Sequence, residues 1–136
     1  MSAKRNLEIA QQFLARLGDA GALPEDIVQM FSVDLDWNIP GDAGVLPWIG
    51  HKTGRSAVVD FLNDYGRMVE RLGMEVRDVL AGEERAIIFG ELTARIKSTG
   101  KTIQQAYAIV LTIKGGEITR FLMLEDSFAT ANAARV

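Results

Sequence analysis

The chain has 136 residues, 48% of them hydrophobic and 24% charged, the balance of an ordinary globular protein able to bury one core. Its net charge is −3 and its fifteen lysines and arginines are scattered, which argues against nucleic acid or acidic membrane as a partner. It has no cysteine, which excludes disulfides, thiolate catalysis and cysteine-held metals and suits a reducing cytoplasm.

The first sixteen residues are amphipathic and carry an acid, Glu8, so they read as neither a signal nor a transit peptide, and no apolar run approaches a membrane span. Leu7, Ala10, Phe13, Leu14 and Leu17 recur at helical spacing until Gly18 and Gly21 stop the pattern. Pro24 suits the first position of a short second helix, with Ile27, Met30 and Phe31 as its apolar stripe. The period then changes to two. Val33, Leu35, Trp37 and Ile39 alternate with Asp34, Asp36 and Asn38 in a half-buried strand that Pro40 ends.

Residues Gly41 to Thr53 read as a loop that carries the apolar side chains Leu46, Trp48 and Ile49. A third helix is expected from about Arg55 to Leu72, with Val58, Phe61, Leu62, Tyr65, Val69 and Leu72 on one side and Gly73 closing it. Four strands follow: Met74 to Leu80, Arg85 to Lys97, Thr102 to Lys114 and Glu117 to Glu125. Helices first and hairpin-linked strands afterwards make an α+β class with an antiparallel sheet.

Gly115-Gly116 predicts a two-residue turn, because both central positions of a type I′ turn need positive φ. An unbroken ladder from that turn puts Val110 opposite Phe121, Ala108 opposite Met123 and Ala106 opposite Glu125. The other face then carries Tyr107, Ile109 and Leu111 with Arg120, Leu122 and Leu124. Both faces are largely apolar, so one can line a pocket beneath the helices while the other is hidden in a subunit interface. The expectation is a homodimer joined through the sheet.

Three stretches, Ile27 to Pro40 (IVQMFSVDLDWNIP), Pro47 to Val58 (PWIGHKTGRSAV) and Lys114 to Asp126 (KGGEITRFLMLED), resemble in order and spacing the patterns of the nuclear transport factor 2-like superfamily, in its SnoaL-like and ketosteroid-isomerase-like branches. The resemblance covers nearly the whole chain and implies one domain over 1–136. The implied fold is a cone-like α+β barrel, N-terminal helices packed on a curved antiparallel or mixed sheet around a deep pocket, commonly paired as a dimer.

That scaffold hosts isomerases, cyclases, epoxide hydrolases and non-catalytic binders, so the residues have to decide. Where ketosteroid isomerases place their proton-shuttling Asp, this chain has Ile39. Leu14 and Ala108 or Ile109 fall near the oxyanion-hole positions, so steroid isomerisation is not expected. The acid that SnoaL-like cyclases and limonene-type epoxide hydrolases often carry in the last strand is absent from Leu122-Met123-Leu124. Asn38 matches the Asn that helps hold the hydrolases' attacking water.

Three residues remain as catalytic candidates. Glu91 shares strand parity with Ile87, Phe89 and Thr93; facing inward it could serve as acid or base, facing outward it is a surface carboxylate. His51, the single histidine, could carry protons at a pocket mouth or simply bond in its loop. Asn38 is the third. A lone histidine without clustered acids is not a metal site, and Gly50 to Gly54 lacks the order of a phosphate loop, so no metal or cofactor is expected.

The expected pocket is lined by Trp37, Ile39, Ala106, Ala108, Val110, Phe121 and Met123, with Trp48 near its mouth. Such a lining suits a small, mostly apolar molecule, bound or converted without a cofactor. The alternatives are a cofactor-free hydrolase or isomerase, epoxide-hydrolase-like or polyketide-cyclase-like, using Glu91, His51 or Asn38 with water, and a non-catalytic dimeric adaptor if the large side chains plug the pocket.

Overall fold

The computed structural model describes residues 2–19 and 23–135. Helix α1 (Ala3–Gly18) opens on Ser2, whose hydroxyl oxygen accepts the Arg5 amide at 3.0 Å, satisfying one orphan donor of the first turn. Gly18 ends it as expected; Gly21, the second expected stop, lies outside the described residues. Helix α2 (Pro24–Val28) has Pro24 in its first turn, and the Asp26 carboxylate accepts the Leu23 amide at 3.1 Å. Phe31, expected on this helix, instead begins β1 (Phe31–Ile39).

Along β1 the inward side is Phe31, Leu35, Trp37 and Ile39, while Val33 is 65% exposed. A register irregularity against the neighbouring strand between Phe31 and Asp36 breaks the simple alternation and turns Val33 out. The stretch from Gly41 is not loop throughout: β2 (Gly50–Thr53) pairs antiparallel with β1, Asn38 opposite His51 and Asp36 opposite Thr53.

Helix α3 (Ser56–Met68) is shorter than its periodicity suggests. Val69 leaves the helix at once to begin β3 (Val69–Ala81), a strand through Gly73 where the sequence predicts helix up to that glycine. Pairing with the long β4 (Arg85–Ile96) overrides local helix preference: Val69 lies opposite Ile96, and the Lys97 amide donates to the Met68 carbonyl at 3.0 Å. Two register shifts, at Arg71/Gly73 and Val76/Asp78, kink β3. Gly90 of β4 lets it come close, since a Cβ there would collide with the Glu75 carbonyl oxygen.

Strands β5 (Thr102–Lys114) and β6 (Glu117–Glu125) form the expected hairpin, with Gly115 and Gly116 at φ 61° and 82°. Lys114 faces Glu117 and Ile113 faces Ile118, but Thr112 then pairs with Arg120. Thr119 is an extra residue, its hydroxyl donating to the Thr112 carbonyl at 3.3 Å. This bulge slides the register by one. Leu111 pairs with Phe121, Ile109 with Met123 and Tyr107 with Glu125, all on the inner face. Ala106, Ala108 and Val110 turn outward with Leu122 and Leu124, and this corrects the expected assignment of β5 to faces.

Among the described residues six strands lie in the order β2-β1-β6-β5-β4-β3, antiparallel except for the parallel β1–β6 pair. Helices α1 to α3 pack over the curved sheet in the cone-like α+β arrangement, their apolar faces meeting Phe31, Trp37, Leu111 and Phe121. Helix α4 (Ser127–Ala134) follows β6, capped by Asp126, whose carboxylate accepts the Ala129 amide at 3.0 Å. The Ser127 hydroxyl donates to the Pro40 carbonyl and the Thr99 hydroxyl to the Ala133 carbonyl at 2.6 Å, which ties α4 down.

Candidate ligand cavity

Between the helices and the inner sheet face lies a cavity of about 280 Å³. Its walls are mostly aromatic. Trp37 stacks on Phe121, centroids 4.2 Å apart and planes 8° from parallel, and Phe61 and Tyr65 of α3 lean on Trp37 and Trp48 at 5.2 and 5.3 Å. The Trp37 indole N–H donates to the Trp48 carbonyl at 3.4 Å, which locks the loop carrying Trp48 onto the strand. Phe13 of α1, Ile27 of α2, Ile109 of β5 and Met123 of β6 complete the apolar lining.

Of the residues expected to line a pocket, Trp37, Ile39, Trp48, Phe121 and Met123 do so. Ala108 and Val110 do not, nor does Ala106; the Thr119 bulge moves them to the opposite face and gives their place to Ile109. Near the oxyanion-hole positions the inner face thus presents Ile109, and Ile39 lines the cavity beside it, so both remain apolar.

Of the three catalytic candidates Asn38 and His51 face each other across β1 and β2 while Glu91 lies apart on β4, and none lines the cavity. Asn38 alternates with the inward Trp37 and Ile39 and therefore sits on the outer face. His51, opposite it on β2, has its Nε2 2.6 Å from the Asp36 carboxylate, which Arg120 also approaches at 3.6 Å, and all three side chains are well exposed. Glu91 pairs with Arg77 at 3.1 Å on the outer side of β4.

The carboxylate that does reach the cavity is Glu125, the last residue of β6. It shares strand parity with Phe121 and Met123, and it stands one residue beyond the Leu122-Met123-Leu124 triplet. Burial, with a smaller push from the charge of Asp126, raises its pKa from the ordinary 4.5 to about 7. Gln105 of β5 holds it, one side-chain amide N–H₂ donating to the Glu125 carboxylate at 2.8 Å and to the Thr130 hydroxyl oxygen at 3.0 Å. Tyr65 shares the cavity, its phenol raised to about 12 by burial and by Glu125, against a lowering pull from Arg71. A carboxyl raised to about 7 beside an aromatic wall can both give and take a proton at physiological pH. Among the described residues no group of His, Cys, Asp and Glu side chains could hold a metal ion.

The family model of the SnoaL-like domain matches residues 10–121. The chain belongs to the SnoaL-like family. A nuclear transport factor 2-like protein from Burkholderia xenovorans LB400 is 27% identical, with a TM-score of 0.86 and 99% of each chain covered. A putative SnoaL-like polyketide cyclase from Mesorhizobium loti is 18% identical at a TM-score of 0.70, covering 86% of this SnoaL-like chain and 96% of its own. TerC, co-crystallised with polyporic acid, is 20% identical at 0.76, with 97% and 99% covered. These last two likenesses speak for the fold alone. No curated protein matches. No helix among the described residues is long and apolar enough to cross a membrane.

Proposed function

We propose that this SnoaL-like protein binds a small, mostly apolar molecule in its cavity and moves a proton on it without a cofactor, with Glu125 as the acid–base group. One observation carries the reading: the carboxyl facing the aromatic cavity is tuned to about 7, where an acid–base catalyst works best. Tyr65 lines the same cavity and remains a protonated donor at neutral pH, suited to a developing enolate or alkoxide. The reaction class is proton transfer at carbon beside a carbonyl, as an isomerase or cyclase requires. Steroid isomerisation is not part of it, since Leu14, Ile39 and Ile109 supply no proton. The hydrolase alternative loses its water-holding Asn38 to the outer face, so nothing specific favours it.

The reading includes a homodimer. On the outer sheet face Ile87, Phe89, Val110, Leu122 and Leu124 form an apolar patch in which Phe89 is 44% and Leu124 48% exposed. A patch of this kind is what a subunit interface covers. Residues 1–136 are taken as one domain, working in the cytoplasm, a compartment that suits a chain without cysteine.

The test is solvent deuterium exchange into a panel of cyclic ketones and β-diketones, followed by NMR. The native protein should accelerate exchange for at least one of them, and Glu125→Gln should lower that rate by about 100-fold or more while binding persists. A variant as active as the native protein would remove Glu125 from the chemistry.

A further inference from the structure

Building on the cavity reading, one inner-face residue is out of keeping with its surroundings. Arg71 of β3 pairs with Ala94, a fully buried residue of the inner face, and it follows the inward Val69 by two. The register shift after Arg71 then brings Met74, not Gly73, to the next inward position, opposite Leu92. Strand parity thus directs an arginine to a place where its neighbours Val69 and Met74 are apolar, and its side chain lines the cavity.

The arginines nearby are all answered by acids: Arg67 by Asp64 at 2.9 Å, Arg77 by Glu91 at 3.1 Å and Arg95 by Glu70. Arg71 is not. Among the described residues its recorded contact is the Met74 sulfur, 3.8 Å from Nη1. It lies near enough to Tyr65 to lower that phenol's pKa, so its charge is felt inside the cavity. A guanidinium at the edge of an aromatic chamber, exposed and without a carboxylate among the described residues, has four of its five donors available to a ligand.

We propose that the ligand is a flat, mostly apolar anion of one or two rings, a carboxylate or acidic enol, whose charged group is held by Arg71 while its rings lie against the Trp37–Phe121 wall. The edge strand β3 makes this geometry workable, because the charged group stays at the rim, where its loss of water is small, and only the rings are buried. Glu125, which lines the same cavity, tolerates such a ligand, since at neutral pH about half of it holds its proton. Tyr65 is neutral there, and Asp126 lies outside the lining.

The experiment titrates the native protein with cinnamate and with cinnamamide, equal in shape and different in charge, by calorimetry. Both tryptophans of the chain line the cavity, so quenching of their fluorescence reports that the probe has entered it. Cinnamate should bind about tenfold more tightly than cinnamamide, Arg71→Met should erase the difference without weakening cinnamamide, and Arg71→Lys should keep part of it. Equal affinities in the native protein, or a preference that survives Arg71→Met, would overturn the assignment while leaving the cavity reading intact. Failure of both probes to enter would bring down the two together.

Discussion

The two faces of the sheet are built from the same kinds of residue and do different things. The inner face of β5 and β6 carries Tyr107, Ile109, Leu111, Phe121 and Met123, and of these Tyr107, Ile109, Leu111 and Phe121 are at most 3% exposed. The outer face carries Val110, Leu122, Leu124 and, on β4, Phe89, and these stay partly open. Ionisable groups divide as well. Outside, Arg120, Asp36 and His51 form a solvated chain, and Arg77 sits between Glu75 and Glu91. Inside, Glu125 stands among apolar walls and its proton affinity rises for that reason. The outer carboxylates are paired with arginines in solvent, while the inner one is held by the Gln105 amide among apolar walls.

Deleting an aromatic ring from each face should break this comparison most visibly. Trp37 is 1% exposed and stacked on Phe121, so Trp37→Ala should cost about 3–5 kcal/mol in urea unfolding and leave little native protein at physiological temperature. Phe89→Ala removes a ring that the chain itself leaves 44% exposed, and the monomer should lose only about 1 kcal/mol. The cost should appear in assembly, as a dissociation constant raised about thirtyfold or more in sedimentation equilibrium. A native protein that is monomeric at tens of micromolar would show that this face is not an interface.

A second contrast is electrostatic. Folded Glu125 binds its proton more tightly than the unfolded chain does, so it favours the folded state at low pH. That contribution is complete below about 4.5, shrinks as pH rises and is gone by about 7, above which the buried charge is a burden. Glu125→Gln cannot titrate. Relative to the native protein the variant should therefore gain stability between about pH 5 and about pH 8, by up to about 3 kcal/mol, less whatever residual water contact screens. Urea midpoints at the two pH values measure it, and parallel curves for the two proteins would mean that Glu125 is not raised.

Much of this fold was readable from period and punctuation. The helical stripe of α1, the alternation Leu35-Trp37-Ile39, the diglycine turn and the cap at Asp126 are local signals, and the structure carries each of them. What could not be read are events decided by a neighbour. The Thr119 bulge leaves no mark in composition, yet from Thr112 back to Tyr107 it flips β5 relative to β6, because a strand's side chains alternate and a slip of one exchanges the faces. Residues 69–72 look helical, yet pairing with β4 makes them strand. The inward course of Arg71 follows from that same correction. Glu125 was within reach, two residues beyond Met123 on the same face.

The slip offers a final, small test at Tyr107, which an unbroken ladder would expose and the bulged one buries. Its ring is 2% exposed, its hydroxyl has no hydrogen-bond partner among the described residues, and burial holds its pKa up. A buried hydroxyl without a partner has given up its water for nothing, so removing it should not hurt. Tyr107→Phe should unfold at the same urea concentration as the native protein or slightly higher, a gain of about 0–1 kcal/mol, with cavity binding unchanged since Tyr107 does not line it. On an outer interface the same change would leave the monomer's stability alone and act on the dimer. A loss of more than about 1 kcal/mol would show that the hydroxyl has a partner, an ordered water being the simplest. A weakened dimer at unchanged monomer stability would return Tyr107 to the outer face and remove the bulge with it.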